Sequence, residues 1–194
     1  MITTFKKTVL AISFALVACS ASAASLDLRH EYKHESEKHA GRIKISGSLG
    51  NHSLSAEMKF AGARNEASES FQRDDLEFGY DYQYEISEEL RLQPGMLITL
   101  RNDRTIFKPQ FRIQYKLGSG IVTKLRYRHE VFVYADDREP EQRSKITGNL
   151  DYNWNSFQFG FEANYVKGLN DQLLFDGDDT NWDYNFKIGY KKKN

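Results

Sequence analysis

The chain contains very little cysteine and proline, and it has no long apolar run beyond its first residues. Of its 194 residues, one is cysteine and three are proline. A single thiol cannot form an internal disulfide, so a disulfide-stapled scaffold is excluded. A transmembrane helix needs roughly 20 consecutive, mostly apolar residues, and no later stretch of the chain provides them. Proline would interrupt a sheet ladder, and only Pro94 and Pro109 fall within the strands predicted below.

The chain also lacks a net charge. It carries 27 lysines and arginines against 27 aspartates and glutamates, a balance that excludes a generic nucleic-acid-binding protein. The charges are nevertheless segregated. Eight acids and two bases lie between Gly62 and Glu88, whereas nine bases and two acids lie between Glu89 and Arg128. The five histidines do not have the spacing of metal ligands, so we expect neither a bound metal nor a cofactor.

The first residues have the features of a secretory leader. Two lysines precede an apolar run from Thr8 to Ala18, and Ala21-Ser22-Ala23 provides the small residues of a cleavage site. This pattern predicts a signal peptide over residues 1–23 and one exported domain over residues 24–194. The residues up to Cys19 also fit the cleavage pattern of bacterial lipoproteins. The sequence therefore leaves open whether this cysteine is lipidated or removed with the leader.

The stretch from Phe107 to Val133 shows the pattern that organises the rest of the chain. Apolar and polar residues alternate in two segments that flank Gly118-Ser119-Gly120. Strict alternation predicts β-strands with one apolar and one polar face, and the glycines supply the positive φ angles of a tight turn. Because like charges on adjacent strands destabilise a sheet, facing acids or a bound polyanion should offset the bases on the polar face. Those bases are Lys108, Arg112, Lys116, Lys124, Arg126 and Arg128.

The same alternation predicts ten strands in all. Short turns are predicted to alternate with longer polar loops, apart from the brief connection at Asn102–Arg104. Short turns on one rim and long loops on the other are typical of an antiparallel, up-and-down transmembrane β-barrel of the bacterial outer membrane. The other eight strands are predicted at Ser25–Lys33, Arg42–Leu49, His52–Phe60, Asp74–Ile86, Leu90–Arg101, Arg143–Trp154, Phe157–Lys167 and Trp182–Tyr190.

The aromatic residues also indicate a lipid-facing surface. Most of them share the apolar positions of the predicted strands, many near strand ends, as in the interfacial girdles of outer-membrane barrels. The alternative is a soluble β-sandwich with these aromatic side chains in its core. Because one face of every strand is charged, such a sandwich would have a very polar exterior, and we favour the barrel.

Four short motifs resemble the oligogalacturonate-specific porins of the KdgM type. They are SLDLRHEY at Ser25–Tyr32, LQPG at Leu92–Gly95, FKP at Phe107–Pro109 and RYRHE at Arg126–Glu130. The resemblance implies a monomeric outer-membrane channel with an arginine-lined pore for acidic oligosaccharides, in a family that also includes a sialic-acid channel. Family members form twelve strands, against ten predicted here. A missing hairpin would narrow the lumen, because barrel diameter grows with strand number.

The inward-facing positions of the predicted strands provide the candidate pore-lining residues. An opposing acidic wall is predicted from Glu57, Glu77, Asp81 and Glu85. A guanidinium fork matches a carboxylate, and several weak sites in a narrow lumen favour transit over tight binding. The basic candidates are Arg29, Arg42, Lys44, Arg91, Arg101, Lys108, Arg112, Lys116, Lys124, Arg126 and Arg128.

The sequence therefore predicts a passive, anion-preferring porin rather than an enzyme. Its expected partners are acidic oligosaccharides such as oligogalacturonates, outer-membrane lipid and the barrel-insertion machinery. An enzyme of the lipid-A hydrolase or protease type stays open as an alternative, with His129 and Glu130 as its candidate pair. Such a site needs a base beside an acid, but adjacent strand residues point to opposite faces. A structural or adhesive barrel, its lumen filled by acid–base pairs, is the other alternative.

Overall fold

The computed structural model of the chain describes residues 23–33, 38–63, 72–170, 172–174 and 177–190. The predicted signal peptide, apart from Ala23, lies outside these ranges, and so does Cys19. None of the described residues forms a helix long and apolar enough to cross a membrane. The strands are β1 (Ala23–Lys33), β2 (Lys38–Leu49), β3 (His52–Ala63), β4 (Gln72–Tyr82), β5 (Tyr84–Glu85), β6 (Leu90–Leu100), β7 (Arg104–Gly118), β8 (Ile121–Tyr134), β9 (Glu141–Trp154), β10 (Phe157–Gly168) and β11 (Thr180–Tyr190).

These strands form one antiparallel sheet whose order follows the chain. The hydrogen-bonded path runs β1-β2-β3-β4-β6-β7-β8-β9-β10-β11, and the two-residue strand β5 pairs with β6 beside this path. The prediction of an all-β, up-and-down antiparallel fold with ten long strands is therefore confirmed, with β5 as an addition.

The chain divides into two compact units. The first unit comprises Met1–Asp81 and Leu97–Asp103, and the second comprises Tyr82–Met96 and Arg104–Asn194. The described part of the first unit contains β1 to β3 and most of β4, with the end of β6. The second contains the start of β6, all of β5 and the strands from β7 to β11.

Several predicted strand bounds are wrong, and the backbone pairing explains why. The predicted strand Asp74–Ile86 ends as β4 at Tyr82, and the chain then pairs with β6 at only two residues, in the register Tyr84↔Leu92 and Glu85↔Arg91. The predicted start of a strand at Arg42 is also too late, because the ladder of β1 and β2 continues to Lys38. Ladder hydrogen bonds join backbone groups, so a polar sequence does not end them.

The short turns lie where the sequence predicts them. Gly118, Ser119 and Gly120 have φ angles of 84°, 50° and 80°, and Gly50 and Asn155 have φ angles of 56° and 52°. These left-handed backbone conformations are accessible to glycine and asparagine at little steric cost. The tight turns between β2 and β3, between β7 and β8 and between β9 and β10 therefore follow from local sequence.

Burial in this sheet is the reverse of that in a water-soluble protein. Along β7 the polar positions are mostly half-buried or buried, whereas Phe111, Ile113 and the other apolar positions are exposed. Within the described ranges, Ile106 and Phe132 are the buried apolar side chains. A soluble sandwich would bury its apolar face, so this alternative is excluded. The buried polar side chains are Glu57, Asp75, Gln93, Thr99, Gln110, Thr147 and Asn164.

Candidate functional site

The polar face of the sheet, formed by the side chains opposite the apolar positions, contains the predicted pore-lining residues. In the first unit, the register places Asp27 opposite Lys44 and Lys44 opposite Glu57. Glu57 is only 6% exposed. Its carboxylate lies 3.8 Å from Arg42, 3.7 Å from Lys44 and 3.4 Å from Lys59. Three bases of this unit therefore share one buried acid.

A second buried acid of the first unit, Asp75, is absent from the predicted acidic wall. Asp75 is 4% exposed. It accepts hydrogen bonds from both Nε and Nη2 of Arg101, and its carboxylate lies 3.9 Å from Lys59 Nζ. Its strand position has the same parity as that of Glu77, which accepts a 2.7 Å hydrogen bond from Thr99 Oγ1. That parity is the signal from which Asp75 could have been predicted.

The second unit holds most of the predicted bases, and three arginines there form a stripe on β7 and β8. Arg112 lies directly opposite Arg126, and Gln110 lies opposite Arg128. Arg112 Nη1 donates to Gln93 Oε1 at 3.2 Å, and Arg128 donates to Gln110 Oε1 from Nε and Nη2, at 3.3 and 2.9 Å. Arg112, Arg126 and Arg128 are called the arginine stripe below.

The arginine stripe differs from the bases of the first unit in the chemistry of its hydrogen-bond partners. The guanidinium groups of the stripe donate to amide oxygens and a hydroxyl, whereas Arg42 and Arg101 donate to carboxylates. Arg128 also lies 3.7 Å from Glu130. Neutral acceptors therefore orient these three guanidinium groups, and the Glu130 carboxylate lies beside Arg128.

A fourth base, Lys145, extends the stripe onto β9. The register places it opposite Arg128, with the Thr147 hydroxyl opposite Arg126. Lys145 was not among the predicted pore-lining residues, although it has polar parity within the predicted strand Arg143–Trp154. Three adjacent strands thus contribute positive charge at one part of the polar face.

Beyond the stripe, a chain of hydrogen bonds crosses β8 to β11. Arg126 Nη2 donates to Thr147 Oγ1 at 3.2 Å, and Thr147 Oγ1 donates to Asn164 Oδ1 at 2.8 Å. Asn164 Nδ2 then donates to Glu162 Oε1 at 2.9 Å and to Asp183 Oδ2 at 3.2 Å. The sequence analysis did not identify this network, because neutral Thr and Asn side chains carry no charge signal.

The remaining predicted residues are spread over both units. Lys124 donates a 2.8 Å hydrogen bond to Asp151, and the two line a cavity of about 470 Å³ in the second unit with Lys187. Lys44 and Asp81 line a separate cavity of about 380 Å³ in the first unit. Arg91 forms an ion pair with Glu85. Arg29 lies on β1 opposite Arg42, whereas Lys108 and Lys116 lie on β7.

An arginine–aromatic cluster lies where β7 begins, β8 ends and β9 begins. The centre of the Phe132 ring lies 5.9 Å from the guanidinium carbon of Arg104 and 4.5 Å from that of Arg143. The Tyr134 ring lies 5.7 Å from Arg104 and 3.9 Å from Arg138. Phe132 occupies a polar-face position opposite Ile106. The alternation therefore ends at this level of the sheet, which the sequence analysis did not predict.

The candidate pair of the enzyme alternative does not share a face. His129 lies opposite Ser144 and Glu130 lies opposite Arg143 in the pairing of β8 with β9. Glu130 is on the polar face near Arg128. Because neighbouring strand residues project to opposite sides, this pair cannot act together as base and acid.

Known proteins resemble this chain over most of its length. The family model described as oligogalacturonate-specific porin protein (KdgM) matches residues 17–194. The uncharacterized protein YiiY of Salmonella typhimurium is 29% identical over 180 residues, which cover 90% of this chain and 78% of YiiY. The oligogalacturonate-specific porin KdgM of Dickeya dadantii is 27% identical over 190 residues, which cover 91% of this chain and 80% of that protein.

A solved structure has a similar fold. The NanC porin structure aligns with a TM-score of 0.75 at 18% sequence identity, covering 86% of this chain and 80% of its own. At this identity the likeness concerns the fold alone.

Proposed function

Because the chain belongs to the oligogalacturonate-specific porin family, we propose that it is an outer-membrane channel that prefers anions and passes acidic oligosaccharides such as oligogalacturonates. The observation that carries this proposal is the register of Arg112 opposite Arg126, with both guanidinium groups held by neutral hydrogen-bond acceptors. Like charges in register are unfavourable in a sheet, and we infer that a passing anion offsets the repulsion between Arg112 and Arg126.

The geometry of the arginine stripe suits a passing carboxylate. A guanidinium group presents a planar fork of donors that matches two carboxylate oxygens. Successive polar positions along β8, such as Arg126 and Arg128, are spaced by about 7 Å, two residues of a strand. An anionic chain can therefore move between equivalent weak sites, which favours transit over tight holding.

The first unit contributes less to anion preference in this proposal. Its bases Arg42, Lys44 and Arg101 pair with the carboxylates of Asp27, Glu57 and Asp75. Of the eleven predicted pore-lining bases, we therefore assign the selective role to those of the second unit, with Lys145 added. The acids that pair with the first-unit bases stabilise that part of the polar face.

Several further parts of the proposal concern the surroundings of the channel. The exposed apolar positions suit contact with outer-membrane lipid, and Phe157, whose ring contacts those of Trp154, Phe159 and Tyr190, suits an interfacial girdle.

We assign export to a signal peptide over residues 1–23 and the channel to residues 24–194. The family resemblance supports a monomer that is inserted by the barrel-insertion machinery of a Gram-negative bacterium.

Planar-bilayer conductance of the refolded protein across a salt gradient tests this function. We expect an open pore with an anion-selective reversal potential and current block by galacturonate oligomers. The double substitution Arg112→Gln and Arg126→Gln should reduce the anion preference without unfolding the protein. Arg138→Gln, which changes a loop arginine bonded to Asp136, is the matched control and should leave the reversal potential nearly unchanged. Unchanged selectivity in the double variant would contradict the assignment of the stripe.

A non-conducting structural barrel is the second candidate. It is favoured by the ion-paired polar face of the first unit and by the burial of Ile106 and Phe132 on the polar face of the second. Absence of current from protein that is folded and heat-modifiable on a gel would support this alternative and contradict the channel.

A further inference from the structure

Asn164 links the positive and negative parts of the second unit's polar face, although it has no charge. It lies between Thr147 on β9 and Asp183 on β11 in the register of the three strands. Asn164 is 2% exposed and Thr147 is fully buried. Buried polar side chains are usually hydrogen-bonded. Here the hydrogen bonds of Thr147 and Asn164 connect the Arg126 guanidinium to the carboxylates of Glu162 and Asp183.

The chemistry of the partner groups determines which atom donates in each hydrogen bond of this network. Carboxylates only accept hydrogen bonds, so the Asn164 amide nitrogen must face Glu162 and Asp183. Its oxygen then faces Thr147 and takes the hydroxyl hydrogen. The lone pairs of the Thr147 oxygen are left for Arg126 Nη2. An amide turned the other way would place its oxygen against both carboxylates.

Without this amide, the two acids would compete for Arg126. A guanidinium–carboxylate bond is stronger than one between a guanidinium and a hydroxyl, so either carboxylate would be a better partner for Arg126 than the Thr147 hydroxyl. The acids also have other partners, since Asn149 donates to Glu162 and Asn185 donates to Asp183. Lys187 lies 3.8 Å from Glu162. If the Asn164 amide were lost, Arg126 would therefore turn toward the acids, while each acid would keep another hydrogen-bond or ion-pair partner.

Building on the proposed channel function, we propose that Asn164 is a positioning residue for anion selectivity. By donating to Glu162 and Asp183, and by orienting the Thr147 hydroxyl, it keeps the Arg126 guanidinium in the arginine stripe and out of an ion pair with those acids. A neutral side chain thereby sets how much positive charge the stripe presents to a solute.

Substitutions that change no charge test this inference. Thr147→Val removes the linking hydroxyl at nearly constant volume, and Thr147→Ser retains it as the matched control. In bilayers under a salt gradient, we expect Thr147→Val and Asn164→Ala to move the reversal potential most of the way to that of Arg126→Gln. Thr147→Ser should keep the wild-type potential. Combining Thr147→Val with Arg126→Gln should add nothing further, a non-additivity that a merely structural role would not produce.

Different results would overturn the positioning role of Asn164 and the proposed channel function. A Thr147→Val channel with the wild-type reversal potential, or an effect that adds fully to that of Arg126→Gln, would overturn the positioning role. A wild-type protein that shows no anion preference would overturn the proposed function instead. In that case the hydrogen-bond link between Arg126 and Asn164 is tested by stability instead, from urea midpoints in detergent. If the shifts caused by Thr147→Val and Arg126→Gln do not add in the double variant, the link is supported, and if they add fully, it is overturned. Thr147→Val also carries the test should Asn164→Ala not fold.

Discussion

Arg112 and Arg126 lie directly opposite each other on β7 and β8, with both guanidinium groups on the polar face. Opposed like charges weaken strand pairing by roughly 0.2–1 kcal/mol. Other bases of the polar face, such as Arg42 and Arg101, pair with acids. The opposed positions of the two arginines therefore mark a place where strand pairing is less stable than the backbone hydrogen bonds alone would make it. Such places are common where function needs a strained arrangement.

Replacing Arg112 with glutamine should therefore stabilise the protein. We expect a gain of about 0.5–1 kcal/mol in the free energy of unfolding, because the shorter amide side chain can still hydrogen-bond Gln93 without repelling Arg126. Urea unfolding in detergent, followed by tryptophan fluorescence, measures this change. Lys116→Gln is the control, since Lys116 is exposed and lies opposite Val122. A loss of stability in the Arg112 variant would contradict the repulsion argument.

Replacing Glu57 with glutamine should have the opposite effect on stability and should raise anion preference. The buried carboxylate is shared by Arg42, Lys44 and Lys59, so its loss frees positive charge in the first unit. Removing the shared partner of charged groups leaves them unsatisfied at a cost of about 1–3 kcal/mol, and we expect a destabilisation within that range. The reversal potential and the urea midpoint of one preparation test both effects. A variant that is less stable yet unchanged in selectivity would show that this unit does not face the conducting path.

Introducing lysine at adjacent positions of β7 should distinguish the two faces of the sheet. Ile113→Lys places a charge on the exposed apolar face near the middle of the strand, which costs about 2–4 kcal/mol at the bilayer midplane. Gln114→Lys places the same charge on the polar face, opposite Lys124, and should cost less than about 1 kcal/mol. Unfolding from lipid vesicles measures both values. Equal losses would argue against lipid contact at Ile113.

Removing the Ser87 hydroxyl should change the titration of Glu89. In the turn before β6, the Ser87 hydroxyl donates to the Glu89 carboxylate at 2.8 Å and lowers the pKa of Glu89 below its ordinary value of 4.5. A lowered pKa in the folded state stabilises the fold above the unfolded pKa, and this contribution is lost as pH falls through the folded pKa. In Ser87→Ala we expect the Glu89 pKa to rise.

NMR titration of carbon-13-labelled glutamate in detergent measures the Glu89 pKa. Ser156→Ala, in the turn between β9 and β10, is the control and should not change it. The stability difference between wild type and Ser87→Ala that is due to Glu89 should shrink as the solution becomes more acidic than the folded pKa. A Glu89 pKa that is the same in both proteins would contradict the assigned hydrogen bond.

Adding a methyl group at Gly168 should destabilise the end of β10. A Cβ at this position would overlap the backbone carbonyl oxygen of Gln172, whereas a Cβ at Gly148 has open space around it. Overpacking of this kind costs about 1–3 kcal/mol, and we expect such a loss for Gly168→Ala. Gly148→Ala, the matched control, should be neutral or slightly stabilising because glycine is unfavourable within strands. Equal urea midpoints for the two variants would contradict the predicted overlap.

The alternation of residue types was sufficient to predict the number of long strands, their antiparallel order and which face of each strand is apolar. It could not predict where β4 ends and β5 begins, because Tyr82 and Tyr84 have the same apolar parity on either side of Gln83. Both β4 and β5 pair with β6, and the ladder is interrupted at Gln83 while the side-chain pattern continues. Strand limits depend on which backbone lies alongside, and a single sequence does not contain that information.

The polar face was predictable as a set of residues but not as a set of pairs. Parity alone indicated that Glu57 and Arg112 project to the same face. Their partners depend on cross-strand register, which places Glu57 among three bases and Arg112 opposite another arginine. Uncharged members such as Asn164 could not be predicted, because their role comes from the partners and not from the residue type.

The order of the strands also has a consequence for how the chain reaches its native state. Each long strand pairs with the long strand next to it in sequence, so most contacts join segments only one hairpin apart. Folding rates are highest when contacts are local, since little loop entropy is lost before the first favourable contact forms. The sheet can therefore assemble by adding hairpins to an existing edge in succession, and gaining or losing one hairpin would leave the remaining pairings unchanged.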